Sequence, residues 1–478
     1  MSSLRERMMR LRGASSQNEQ PDAKQPASGG DSQTLVRSET DEHHQDGRTD
    51  HSEFHAEKHP EVAHVPGPDE EKLSPEWADM RVRLAKTEEG EFLLRETRYP
   101  MTYLHGVHRL DELYESVMGL ASFELWSEAK SAGARRVTPG TPISPVHPER
   151  MLFFDLETTG LGVGAGNVPF MVGLGFVQGD QFVVEQMLIR HPAEERAMLC
   201  YLTNKLHAYT HLVTYNGRTF DWPVLSNRLI LNGFRTFRWE PIHIDLLHPS
   251  RSVWRNTLAS CKLSHIEEER LGITRVDDVP GSMAPGIYFQ YLAEQDPKPL
   301  LGVFTHNEID MVSLAVLAIR FGHLLGGELG RRVPYPEGAE ETLRTGLWLE
   351  RMGMTDAAEA LYARLEHHPA AASQILCSLA ERDKKCGNWP RAVLLWQKVV
   401  LEEEGALHPN WDAHIELAMY HEHKTKQIRF ALSYAETALT LAHTRWAGLR
   451  LDAKKRAELD AIRKRIDRLR ARLERLHG

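Results

Sequence analysis

Asp155 and Glu157 stand two positions apart at the end of the apolar run Met151-Leu152-Phe153-Phe154. Side chains alternate in direction along a β-strand, so both carboxylates project from one face. Neighbouring carboxylates repel. Such a pair is tolerated at a solvated strand end, or it holds a divalent cation, which prefers hard oxygen ligands. A cation site needs further ligands, and two more acids have suitable settings. Asp221 closes the stretch Tyr215-Asn216-Gly217-Arg218-Thr219-Phe220-Asp221, where a strand ends and a helix opens. It reads either as the helix N-cap, with Pro223 in the first turn, or as a ligand aimed at the strand ends. His306 and Asp310 are four apart, just ahead of the helical run MVSLAVLAI, and so share a helical face.

An α/β domain over 149–330 can position these residues. The strand at 151 leads through the glycine-rich turn LGVGAGN to PFMVGLGFV, then through Gln178-Gly179-Asp180 to QFVVEQMLI. That pattern predicts three strands in an antiparallel meander. A helix over 194–207 follows, then a strand over 211–215, a helix over 221–231, a strand over 242–247 and further helices. The glycine-rich turn is no phosphate loop, because it lacks a following Gly-Lys-Ser/Thr and leads into a strand.

The motifs FFDLETTG, YNGRTFD and HNEID together resemble the exonuclease superfamily that binds metal through four acids, Asp-Glu-Asp-Asp. In particular the chain resembles a bacterial family of ribonuclease H-like proteins with tetratricopeptide repeats at the C-terminus. HIDLLHPSR and RVDDVPG are also similar to that family, and the resemblance covers about 95–325 plus the helical tail. It implies an α/β ribonuclease H-like domain whose mixed sheet has three antiparallel strands and then parallel strands with helices, joined to an all-α domain. It further implies two Mg²⁺ or Mn²⁺ ions about 3.5 to 4 Å apart, nucleic acid as substrate and 3′-5′ exonuclease activity. Asp155 would bridge the ions, Glu157 and Asp310 would complete the nucleophile side, and Asp221 would hold the second ion through water. An inactive scaffold and a structure-specific endonuclease are the alternatives on the same fold. The superfamily's third motif usually sets Tyr three residues clear of the last Asp, or His four clear; His306 has the tyrosine-type spacing. Histidine changes charge near neutral pH, so His306 can take or orient a water proton.

Other polar residues have softer roles. Asn216 can hold substrate or satisfy backbone at the strand end, and Asp245 on the last strand can support the site from behind. Arg251, Arg255 and Lys262, with Arg270 and Arg275, make a basic segment beside Trp254, suited to phosphate contact and base stacking. The loop 277–281 reads as a turn.

Composition frames these expectations. The 478 residues carry a net charge of -9, with 26% charged and 41% hydrophobic side chains, the balance of a soluble chain of two or three domains. Such a charge argues against coating nucleic acid by bulk attraction. No apolar run approaches the ~20 residues a bilayer requires, and MSSLRERMMRLRG is no secretory signal. Cys200, Cys261, Cys377 and Cys386 show neither zinc-ligand spacing nor a disulfide framework, which points to a reducing cytoplasm. No small organic cofactor is expected.

Residues 1–70 hold too few apolar side chains to fold and are expected to form a disordered tail. Its start sets Leu4, Met8 and Leu11 beside four arginines, and a histidine tract runs from His43 to His64. Residues 71–148 read as an ordered lead-in packing on the nuclease domain. Over 331–450, Gly353, Ala358 and Tyr362 recur 34 residues later as Gly387, Ala392 and Trp396, the tetratricopeptide period, and such a stack can take a protein partner. Over 451–478, Leu459, Ile462, Ile466, Leu469, Leu473 and Leu476 form a stripe flanked by arginines, expected as a basic amphipathic helix capping the repeats.

Overall fold

The computed structural model describes residues 73–141, 145–160, 162–164, 166–368, 371–403 and 411–477. The expected tail at 1–70, with its arginines and histidines, lies outside them.

After a short helix α1 (Pro75–Asp79), strands β1 (Val82–Thr87) and β2 (Gly90–Pro100) form a hairpin, and β3 (Leu104–His105) and β4 (His108–Arg109) form a smaller one. Helices α2 (Glu112–Leu120) and α3 (Ser122–Ser131) follow. The meander is β5 (Met151–Thr158), β6 (Pro169–Gln178) and β7 (Gln181–Leu188), as the alternating pattern predicts. Then come α4 (Glu195–Leu206), β8 (His211–Thr214), α5 (Asp221–Leu231), β9 (Ile242–Asp245), α6 (Leu247–Trp254), α7 (Leu263–Ile266), α8 (Ala284–Glu294) and the 26-residue α9 (Leu300–Leu325).

Seven strands make one mixed sheet in the order β1-β2-β7-β6-β5-β8-β9. β8 and β9 run parallel to β5, and the other neighbours are antiparallel. The lead-in does more than pack on the domain, because β1 and β2 extend its sheet through β7. Phe92, Leu93 and Leu94 are buried there, so these strands join the core.

The sheet is covered on both faces, which explains why β5 and β6 are apolar almost throughout. Leu152 and Phe154 of β5 pack with α4, α5 and α8. Met151 and Phe153 pack with α2 and α9. Period-two alternation therefore sends Asp155 and Glu157 toward the face that α9 covers. From Met311 to Leu325 every residue of α9 is buried, as a helix apolar all round must be.

Beyond the sheet, α10 (Ala339–Arg351) pairs with α11 (Thr355–Glu366), α12 (Ser373–Cys386) with α13 (Trp389–Glu402), and α14 (Asp412–Tyr420) with α15 (Ile428–Arg445). Gly353 and Gly387 end α10 and α12 in the left-handed region at φ +87° and +83°, where glycine turns a chain without strain. Ala358 and Ala392 are fully buried, and Tyr362 and Trp396 fill the space between paired helices. α16 (Ala453–His477) lays Leu459, Ile462, Ile466 and Leu469 against the alanines of α15, while Leu476 stays exposed. α10 also packs on α6, joining this helical region to the sheet domain.

Candidate active site

Asp155 faces Gly173 across the β5–β6 ladder. A side chain at Gly173 would begin 2.2 Å from Oδ1 of Asn307, so glycine there leaves room for α9 to approach. Nδ2 of Asn307 donates to Asp155 at 3.1 Å, and its Oδ1 accepts from Gln186 at 3.1 Å. The next residue, Glu308, is held by Tyr99 and Arg95 of β2. The strand contributed by the lead-in thus fixes the helix that carries His306 and Asp310.

Asp221 occupies the first turn of α5, but the N-cap is Phe220, which removes the capping reading. Its carboxylate instead accepts from its own N–H and from the N–H of Leu156 on β5. The preceding loop is pinned by Asp245, whose carboxylate accepts from the N–H groups of Asn216 at 2.9 Å, Arg218 at 3.0 Å and Leu247 at 3.1 Å. Asp245 supports the site through this loop. Asn216 itself is exposed, at φ +70°, and its side chain accepts from Thr219 at 2.8 Å.

Burial and neighbouring carboxylates shift three of the acids in the same direction. Burial, then the charges of Asp221, Asp310 and Glu157, push Asp155 well above the usual carboxylate range. Burial, then Asp310, Asp221 and Asp278, push Glu157 up to about 8. Burial, aided by Asp245, outweighs the two backbone hydrogen bonds and takes Asp221 to about 7. Carboxylates perturb one another this way only when they share a poorly solvated pocket. Among the described residues no cation pairs with Asp155, Glu157 or Asp221, whereas Asp310 touches both Arg275 and His306. Carboxyl oxygens without a protein cation, whose ionised form is disfavoured until a cation arrives, are the donor type that suits Mg²⁺ or Mn²⁺.

His306 sits within a device that its motif did not reveal. Its Nδ1 lies 2.8 Å from Oδ1 of Asp278, and its Nε2 lies 3.5 Å from Asp310. Nδ1 is shared between the Asp278 carboxylate and Nη1 of Arg275 at 3.1 Å, and these contacts hold the ring with Nε2 toward Asp310. Asp278 lies in the loop that reads as a turn from sequence. Arg275, read there as a phosphate contact, is almost fully buried between Glu267, Asp278 and Asp310. Burial favours loss of its proton, yet Glu267 and Asp310 keep it firmly charged. The one sequence signal for this pair was the motif RVDDVPG.

The remaining basic candidates separate. Arg251 and Arg255 line a cleft of about 540 Å³ beside Asp245 and Arg218. Lys262 is exposed at the start of α7 and does not line it. Arg270 is paired with Glu341 at 2.8 Å. Trp254 is 1% exposed and donates to Glu341, so it cannot stack on a base. A separate group joins α2 to α9, with His108 and His323 both bonded to one oxygen of Glu112, at 3.0 and 2.9 Å.

The mixed sheet, with acids on β5, at the start of α5 and on α9, has a ribonuclease H-like layout, and the sequence pattern of the RNase H superfamily matches residues 152–321. Over 367 residues the chain is 32% identical to a Bacillus subtilis (strain 168) protein named "Uncharacterized protein YprB", covering 76% of this chain and 84% of that protein. The chain belongs to the YprB family, with an RNase H superfamily domain at its centre. No helix among the described residues is long and apolar enough to cross a membrane.

Proposed function

We propose that the protein is a cytoplasmic, metal-dependent nuclease that removes nucleotides from the 3′ end of a nucleic acid strand. The observation that carries this reading is the burial of Glu157 and Asp221, with Asp155 on the same strand face as Glu157, without a cation partner among the described residues, beside a His306 held by Asp278. Asp155, Glu157, Asp221 and Asp310 would hold two Mg²⁺ or Mn²⁺ ions. When bound, such a pair lowers the pKa of a water and stabilises the leaving 3′ oxygen. Nε2 of His306 takes the proton of the attacking water, and Asp278 steadies the ring and the charge it gains. Asn307 keeps the carboxylate of Asp155 in place, and Asp245 keeps the loop before Asp221 closed. Arg251, Arg255 and Lys262 contact phosphate, and Asn216 approaches the strand from the same loop. The helical region is a tetratricopeptide-like stack that takes a protein partner, a reading supported by the 34-residue recurrence of its glycines and aromatic fillers.

A second reading rests on Arg275. Its guanidinium already neutralises one oxygen of Asp310, as it would in an inactive scaffold that keeps the fold for protein contacts. Purified protein with 5′-labelled single- and double-stranded DNA and RNA, in Mg²⁺ or Mn²⁺, separates the possibilities. The nuclease reading expects a ladder shrinking from the 3′ end, lost in Asp155→Ala. Equal products from wild type and Asp155→Ala, or none from either, would overturn it; defined internal cuts would make the enzyme an endonuclease.

A further inference from the structure

We infer that the cleft between α3, α6 and α10 is a binding site for the sugar-phosphate backbone of single-stranded nucleic acid, built jointly by three parts of the chain. Lys130 comes from α3 of the lead-in, Arg218, Arg251 and Arg255 from the sheet domain, and Arg344 and Arg351 from α10 of the helical region. Lys130, Arg251, Arg255 and Arg351 are exposed, and none makes a side-chain ion pair or hydrogen bond with a described residue. Arg344 donates to the carbonyl of Arg251 at 3.1 Å and Arg218 to that of His243, neither of which cancels charge; Arg344 reaches Glu340 only at 3.6 Å, and its Nε is buried without a partner. The one acid on the walls, Asp245, has its oxygens occupied by three backbone N–H groups.

Six cations facing one cleft are out of keeping with a chain whose net charge is -9. Elsewhere the protein pairs its arginines, often at 3 Å or less, as at Arg382, Arg391 and Arg228. Like charges left together repel and gain from an anion between them. The shape selects the anion. A concavity of about 540 Å³ suits a flexible linear polyanion better than a flat lipid surface. The half-buried ring of Trp126 on its wall offers a base something to stack on. Arg218 belongs to the loop that leads into Asp221, and Asp245 at the end of β9 pins that loop, so a strand lying in the cleft runs toward the acids. This choice of ligand rests on the nuclease reading.

Binding is tested by fluorescence anisotropy with the full chain, a fluorescein-labelled 12-nucleotide single strand and EDTA to prevent cleavage. Four to six neutralised phosphates give a slope of about -3 to -4 for log K against log salt. Lys130→Glu/Arg351→Glu, both outside the sheet domain, weakens binding about tenfold or more and reduces that slope by about 1.4. The milder Lys130→Gln/Arg351→Gln pair shifts both readings the same way, and unchanged melting shows that the fold is intact. Wild-type affinity and slope in both charge variants would overturn the site, as would cleft-dependent binding of phosphatidylserine vesicles with no binding of the oligonucleotide. Failure of the nuclease reading would show separately, as cleavage in Mg²⁺ or Mn²⁺ unaffected by Asp155→Ala.

Discussion

The acid pocket and the helical stack both bury carboxylates, but the stack answers each of its buried acids with arginines, whereas the pocket answers only Asp310. Asp383, fully buried, is bonded to Arg391 at 2.5 and 2.7 Å and to Arg382 at 2.6 Å. Glu422, 1% exposed, collects Arg465, Arg468 and Arg472 of α16; burial would raise its pKa, but Arg468 above all holds it below the usual range. Asp155, Glu157 and Asp221 have no such partners and are pushed the other way. Burial of charge with exact compensation is how a fold joins its parts, whereas burial without it marks a place reserved for a ligand.

The largest effect that can break this contrast is catalytic. Asp155→Ala is expected to lower cleavage by about three orders of magnitude, since several kcal/mol of transition-state stabilisation depend on that ligand. Melting should be little changed or raised in chelator. Next comes stability, where the same type of change has opposite signs in the two regions. Asp383→Ala strands two half-buried arginines and should cost about 3 kcal/mol, whereas Asp155→Asn removes a repelled charge and should raise the melting temperature of metal-free protein.

A pH series sharpens the comparison further. Asp155, Glu157 and Asp221 have folded pKa values above their unfolded ones, so the folded protein binds more protons between the two, and stability falls as pH rises. Metal-free protein should lose melting temperature from about pH 4.5, near the ordinary carboxylate range, up to about 8, the value for Glu157. Saturating Mn²⁺ should flatten that decline; a decline unaffected by metal would contradict the pocket's role. The smallest expected effect is Gly387→Ala. It places a side chain at φ +83° with open space around it, costing about 1 kcal/mol and leaving cleavage per folded molecule unchanged.

Much of this was legible in the sequence for local reasons. Alternation along β5 set Asp155 and Glu157 on one face, and the i, i+4 spacing put His306 beside Asp310. The 34-residue recurrence announced the helix pairs through residues that small size or aromatic bulk made distinctive. What escaped is what depends on long-range meetings. The hairpin of β1 and β2 joins the sheet through β7, far along the chain, and nothing in its own pattern names that neighbour. Arg275 and Asp278 sit in a stretch of turn-forming residues, and only the approach of α9 makes them partners of His306. Trp254 looked available for stacking until the packing of α10 enclosed it.

The most direct test of the central claim is isothermal titration of Mn²⁺ into wild type, Asp155→Asn and Asp310→Asn at neutral pH. Two ions per wild-type chain, with binding lost or reduced to one ion in each variant, is the result the acid pocket predicts. No saturable binding to wild type, or identical isotherms for all three proteins, would contradict it.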